Sequence, residues 1–190
     1  MVSDDRFEEI QWMIDDLAYH QTRVLLLIAA VSAKTDHARK LDGLTKLAKL
    51  DFLVRYPALA PEVLDALDSD DARLHTSDED RAEPSVVEDP MVRYKYGPWD
   101  DRYYPVIGAL VSRGLVRYTR GRRGNVALVA TPGGKELAAD MASSELWTEI
   151  ADRCDAIAEA SGGLTGNALK DLIYSRLPSL MDRPRRVAIK

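Results

Sequence analysis

The sequence predicts a mainly α-helical chain that carries one small β-hairpin. Three observations lead there. Apolar residues recur at helical spacing through most of the 190 residues. Residues 115–130 alternate instead, on either side of Gly121-Arg122-Arg123-Gly124-Asn125, a turn rich in glycine with an asparagine. Hydrophobic residues make up 46% of the chain and charged residues 30%, which excludes a disordered, collagen-like or disulfide-rich protein. The length suits one elaborated domain or two small ones, with enough chain to bury a core.

The elements follow in order. Ser3 can cap a helix whose first turn is acidic, with Asp4, Asp5, Glu8 and Glu9 matching the positive end of the helix dipole. Phe7, Ile10, Met13, Ile14 and Leu17 lie at helical spacing, and Val24 to Val31 continue it. This is one long helix or two joined near His20, and its second half is apolar enough to be central. Residues 34–42 read as a polar loop. Leu44, Leu47, Ala48, Leu50, Leu53 and Val54 then mark an amphipathic helix, with Lys46, Lys49 and Arg55 expected outside and Pro57 as its stop. Pro61 can open a short helix to Leu67. Residues 68–90 are rich in Asp, Glu and Ser and read as a solvated loop or linker.

A short strand is expected over 91–96, with Gly97-Pro98 as its turn. Tyr103, Val106, Ile107, Leu110 and Val111 mark a helix within about residues 98–113, beginning near Tyr104 because Pro105 suits a first turn. Gly114 stops it. Residues 115–120 and 126–130 form the hairpin. Thr131-Pro132 opens a helix through Met141. Ser143 or Ser144 is expected to cap another, over 145–160, and Thr165 a last one, ended by Pro178. The final ten residues are expected to fray.

Charge divides the chain more sharply than its net value of −5 suggests. Residues 62–90 hold eleven acids against Arg73 and Arg81, net −9; residues 91–135 hold nine Lys or Arg against Asp100 and Asp101, net +7; the last ten residues are net +3. The net charge excludes a chain that coats nucleic acid by bulk positive charge, but not a local contact. Cys154 is the only cysteine, which excludes an intramolecular disulfide, a two-cysteine redox motif and a multi-cysteine zinc site, and fits a cytoplasmic location. The start of the chain lacks a signal-peptide pattern. The longest apolar run, Val24 to Val31, is far short of the ~20 residues that span a bilayer.

Helix, turn, helix, basic-tipped hairpin and helix in succession form the winged helix-turn-helix pattern. The run Leu110-Val111-Ser112-Arg113-Gly114-Leu115-Val116-Arg117, the turn at 121–125 and Thr131-Pro132-Gly133-Gly134-Lys135-Glu136-Leu137 resemble winged-helix proteins. The likeness covers about residues 41–141 and implies that fold, with helices flanking the core at both ends or forming a dimer surface. The expected organisation is an N-terminal helical region over 1–40, a core over 41–142 with its acidic insert at 62–90, C-terminal helices over 143–180 and a basic tail over 181–190. A narrower likeness lies in residues 44–53 (LTKLAKLDFL), Tyr96-Gly97-Pro98 and residues 168–174 (ALKDLIY). These are similar to the SocA-like (Panacea) antitoxin domain and to the middle component of three-component ABC-ATPase systems, which sit beside SMC-like or RecN-like ATPases in phage defence. The acidic insert departs from both patterns.

Candidate residues follow from this frame. Arg117, Arg120, Arg122 and Arg123 cluster on the wing, where they can reach phosphate or a narrow minor groove. Strand alternation sends Arg117 and Arg120 to opposite faces. With Arg93, Lys95, Arg113 and Lys135 they are the expected nucleic-acid contacts. Tyr94, Tyr96, Trp99, Tyr103 and Tyr104 fall within eleven positions. Trp99 and Tyr103 suit core packing and Tyr94 the surface; Tyr94, Tyr96, Trp99 and Arg102 are the expected partner contacts. The candidate recognition helix offers few base-reading side chains, and Asp100 and Asp101 would repel phosphate. No catalytic constellation, metal set or cofactor motif stands out: His20, His37 and His75 are far apart, Cys154 sits mid-helix, and 121–124 lacks the Lys-Ser or Lys-Thr of a phosphate loop. The expectation is a non-catalytic accessory subunit that binds an ABC- or SMC-like ATPase and touches DNA non-specifically. The alternatives are a dimeric transcriptional regulator and an antitoxin-like adaptor working through protein contacts alone.

Overall fold

The computed structural model describes residues 4–82, 90–182 and 184–189. The fold is mainly helical with two small antiparallel hairpins. α1 (Asp4–Ala33) is one continuous helix through His20, because no glycine or proline interrupts it. Its second half has Val24, Leu27, Ile28 and Val31 all fully buried, and it packs against the later helices and the main hairpin. A helix apolar on most faces has to be central.

α2 (Leu44–Arg55) is the second central helix, and here the sequence expectation fails. Lys46, Lys49 and Arg55 are not outside; every residue from Lys46 to Arg55 is buried. α2 is covered by α1, by α7 (Thr148–Ala160), by α8 (Gly166–Arg176) and by the smaller hairpin. Its cations therefore have to be met inside. The Lys46 ammonium donates to Leu164 O at 2.6 Å and to His37 Nδ1 at 3.0 Å. Arg55 donates to Asp100 at 2.8 Å. Leu41, expected in a loop, exchanges backbone bonds of 2.9 and 2.8 Å with Leu128 and adds a third edge to the main hairpin.

The acidic stretch after α3 (Ala60–Val63) is pinned to the fold at Leu74, while Asp68, Ser69, Asp70, Ser77, Asp78 and Glu79 stay exposed. A 3-10 turn at Ala72–Leu74 buries Leu74 completely, and Arg153 Nε of α7 donates to Leu74 O at 3.0 Å. Arg73 reaches Asp71, Asp155 and Glu159, so it ties this stretch to α7. A short α4 (Asp78–Ala82) follows. Residues 83–89 of the expected linker lie outside the described residues.

β1 (Val92–Tyr94) pairs antiparallel with β2 (Gly97–Trp99). The turn is therefore Lys95-Tyr96, and Gly97-Pro98 is strand rather than turn. Gly97 opposes Tyr94 at φ 115°, a backbone state that favours glycine. The described part of the basic tail does not fray. Arg93 N donates to Val187 O, Arg186 N to Arg93 O, Ile189 N to Met91 O, and Ala188 bridges Val92. Ile189 is fully buried, and its carbonyl accepts from the Tyr56 hydroxyl. The tail holds because it supplies a strand-like edge and one apolar plug.

α5 (Tyr103–Ser112) is shorter than the 98–113 expected, since Pro98 and Trp99 belong to β2; Pro105 sits in its first turn. β3 (Val116–Arg120) and β4 (Val126–Ala130) pair in register from Val116–Ala130 to Arg120–Val126. α6 (Pro132–Ala142) is capped by Thr131, whose hydroxyl accepts from Gly134 N. Ser143 and Ser144 do not cap α7. Their hydroxyls donate back to Asp140 O and Met141 O and close α6, and α7 starts at Thr148. Thr165 caps α8 as expected, and Pro178 opens the short α9 (Pro178–Met181). Among the described residues no helix is long and apolar enough to cross a membrane.

Candidate functional site

Two surfaces stand apart from the core: an aromatic groove and the basic β3–β4 hairpin, the wing of the expected pattern. The groove forms because the β1–β2 hairpin lies across α2 and runs straight into α5. Ala48 and Lys49 of α2 face Tyr94, Tyr96 and Trp99 of the hairpin, with Tyr104 of α5 at one end, around a cavity of about 400 Å³. Trp99 is the hub. Its ring centroid lies 5.8 Å from Tyr94, 5.4 Å from Tyr103 and 5.9 Å from Tyr104. Trp99 Nε1 donates to Asp101 at 3.0 Å, which fixes the indole. Tyr103 turns into the core, as expected, while Trp99 stays half-buried in the groove wall. Tyr94, Tyr96 and Tyr104 are 40%, 50% and 63% exposed, unusual for three neighbouring large rings. Lys95 sits over the Tyr96 ring at 5.2 Å and Arg93 over Tyr174 at 5.9 Å.

A buried charge network sets α5 against α2. Asp51 accepts from Arg23 Nε at 2.7 Å and from the Tyr103 hydroxyl at 2.7 Å, with Arg55 at 3.8 Å. Arg55 reaches on to Asp100, which also accepts from Arg102. Burial alone would raise the Asp51 pKa; the charges of Arg23 and Arg55 and the hydrogen bonds from Arg23 and Tyr103 overcome it and hold the carboxyl below its usual value. Burial likewise opposes ionisation of Asp100, and its bonds from Arg102 and Arg55 prevail. Burial, then the Asp51 charge, pushes the Tyr103 phenol well above its ordinary range. Asp100 is thus a structural ion-pair member, half of the acidic pair expected at the helix start.

The wing is built differently. Arg117, Arg120, Arg122 and Arg123 are all exposed on β3 and its loop. Asp42 shapes the tip: it accepts from Arg122 N at 2.9 Å and lies 3.8 Å from Arg122 Nε. Lys40 donates to Arg120 O at 3.0 Å. Arg123 adopts the left-handed conformation at φ 55°, carrying its side chain on the outside of the turn.

The expected residues do not form one site. The four wing arginines come together. Arg93 and Lys95 belong to the groove hairpin instead. Arg113, at the end of α5, donates to Gln21 of α1 at 2.6 Å. Lys135 lies beside an alanine-rich furrow between α1 and α6. Of the expected partner contacts, Tyr94, Tyr96 and Trp99 line the groove, whereas Arg102 pairs with Asp100 outside it. Sequence reasoning missed Lys49, which looked like an outward helix cation, and Arg186, which reaches the groove only because the tail docks. Tyr104 was visible in the aromatic run.

The histidines lie in three separate settings. His20 Nδ1 accepts from Arg23, His37 bonds Lys46 and Ala158 O, and His75 lies 3.3 Å from Asp152. Cys154 is buried in α7. Among the described residues no cluster of His, Cys, Asp and Glu could hold a metal ion. No protein-family model, curated protein or solved structure matches the chain.

Proposed function

We propose that this chain is a non-catalytic adaptor of the winged-helix type, which binds a partner protein through the aromatic groove and the adjoining face of α5. The observation that carries this reading is that face. Tyr104, Pro105, Gly108 and Ser112 are exposed along α5, and no Lys, Arg, Asn or Gln stands among them. A helix that reads base edges in a major groove needs such side chains. A protein interface instead enriches tyrosine and tryptophan and depletes charge. The position of α5 before β3 and β4, with Leu41 adding a third edge, supports the winged-helix reading.

The wing provides a second, separate contact. Its four exposed arginines suit phosphate, with an affinity that depends on salt rather than on sequence. The likeness of residues 44–53, 96–98 and 168–174 to the middle component of three-component ABC-ATPase systems supports an ABC- or SMC-like ATPase as the partner, and phage defence as the setting. The bare α5 face weighs against the regulator reading, while partial neutralisation of Arg122 by Asp42 favours an adaptor that never touches DNA as the second reading.

Co-expression with an ABC- or SMC-like ATPase, sought among the genes that neighbour this chain's own, tests the proposal. The wild type should co-purify with it and bind random duplex DNA at low salt. Arg122→Glu with Arg123→Glu should keep the ATPase and lose the DNA. Capture of the ATPase by a wild type that binds no DNA even at low salt would favour the protein-only adaptor, and a protected palindrome in footprinting would favour the regulator.

A further inference from the structure

Lys49 is the unusual member of the groove. It is only 2% exposed, yet its ammonium makes one hydrogen bond, to Thr45 O on its own helix at 2.8 Å. No carboxylate of the described residues pairs with it. An ammonium carries more donors than the one spent here, and leaving them unmet in a buried site is costly. Burial, then the charge of Lys170 on α8, pulls its pKa down to about 8, so it is still largely charged at neutral pH. Lys46, its neighbour one turn earlier, shows the contrast: its ammonium is met by Leu164 O and His37.

The rim points the same way. The Arg186 guanidinium makes no hydrogen bond or ion pair among the described residues, although its backbone is held by Arg93. The acid on the rim, Asp101, already accepts from Trp99 Nε1. The groove therefore offers unmet positive charge at its floor and edge, inside walls of Tyr94, Trp99 and Tyr104. Its volume of about 400 Å³ matches one or two side chains. A phosphate chain would track several exposed cations, and bases would need open ring faces. Here the lining holds two cations, Lys49 sunken at the floor and Arg186 alone on the rim, and Trp99 is packed among three tyrosines.

We propose that the groove is a docking slot for an acidic–aromatic peptide segment of the partner protein, with an Asp or Glu carboxylate reaching Lys49 and an adjacent Phe or Leu side chain packing on Trp99 and Tyr104. This rests on the partner-binding reading above and names its chemistry.

The test uses the full chain and two capped peptides, Ac-Gly-Glu-Phe-Leu-Gly-amide and its Gln counterpart, followed by the Trp99 indole N–H resonance. The Glu peptide should shift that resonance and bind at least about tenfold more tightly than the Gln peptide, the size of one charge-assisted contact. Lys49→Met should abolish the preference while its melting temperature stays at or above that of the wild type. Tyr104→Ser, at an exposed position, should weaken both peptides. Equal binding of the two peptides, or a preference that survives Lys49→Met, would overturn the proposal. So would a thymidine octanucleotide that displaces the peptide, since it would assign the groove to single-stranded nucleic acid. If Tyr104→Ser abolishes ATPase capture but the peptides are not discriminated, partner binding stands and the acidic chemistry falls. If capture survives Tyr104→Ser, both fall.

Discussion

Replacing Asp51 by leucine should be among the most damaging single changes in this chain. Asp51 is fully buried and accepts from Arg23 twice, at 2.7 and 3.2 Å, and from Tyr103 at 2.7 Å. Arg55 would keep Asp100 at 2.8 Å, so the cation that loses its α2 carboxylate is Arg23, itself 1% exposed. Breaking a buried ion pair from one side costs about 3–5 kcal/mol. With a urea slope of about 2 kcal/mol/M, the unfolding midpoint should fall by about 2 M. Arg23→Met added to Asp51→Leu should recover much of the loss, because an apolar pair of similar volume replaces a buried ion pair at little cost. Equilibrium urea unfolding of the four proteins measures the cycle. A loss under about 1 kcal/mol for Asp51→Leu, or a double variant no better than the single, would refute the network as the clamp between α1, α2 and α5. Because the folded Asp51 pKa is depressed, this contribution is present above the unfolded value of about 3.9 and disappears only as pH falls through the lower folded value.

The window between pH 7 and 5 belongs to His37 instead. Burial, then the Lys46 charge, lowers its pKa below 6.5, so the unfolded chain takes up a proton that the folded chain resists. The His37 contribution should be full above about pH 6.5 and fall below it by up to about 1.4 kcal/mol per pH unit, and His37→Gln should flatten that slope in melts across this range. Ile189→Ala should cost about 2–4 kcal/mol and loosen the groove hairpin, seen as faster proteolysis near residues 91–99. Gly134→Ala should be poorly tolerated, since a Cβ there would overlap the Leu115 carbonyl, and its melting temperature should drop by several degrees, about 2–4 °C for each kcal/mol lost. If the wing contacts DNA as proposed, Arg123→Ala alone should reduce the salt dependence of that binding by about one unit of the log–log slope.

What could be read from the sequence was local. β4 and α6 fall where turn glycines, Thr131-Pro132 and apolar spacing put them, because those signals act within a few residues. The interior cations could not be read that way. Lys46, Lys49 and Arg55 have the spacing of an outward face, and what buries them is the packing of α7, α8 and the hairpin, brought in from far along the chain. Arg23 and Asp51 are 28 positions apart, Arg55 and Asp100 45, so neither pair is visible as a motif. The groove has the same origin: it joins 45–49, 94–104 and Arg186, and only the aromatic run in the middle announced itself. The tail misled through composition, its arginines outweighing the one residue, Ile189, that anchors it.

The proposed division of labour between groove and wing is most directly tested by hydrogen–deuterium exchange of the chain alone, with the proposed ATPase partner, and with duplex DNA. Partner binding should slow exchange across residues 92–104, and DNA should slow it across 117–126 without reaching α5. Slowed exchange along residues 103–112 on adding DNA, with the wing unchanged, would contradict the proposed adaptor function and assign α5 the role of a base-reading helix.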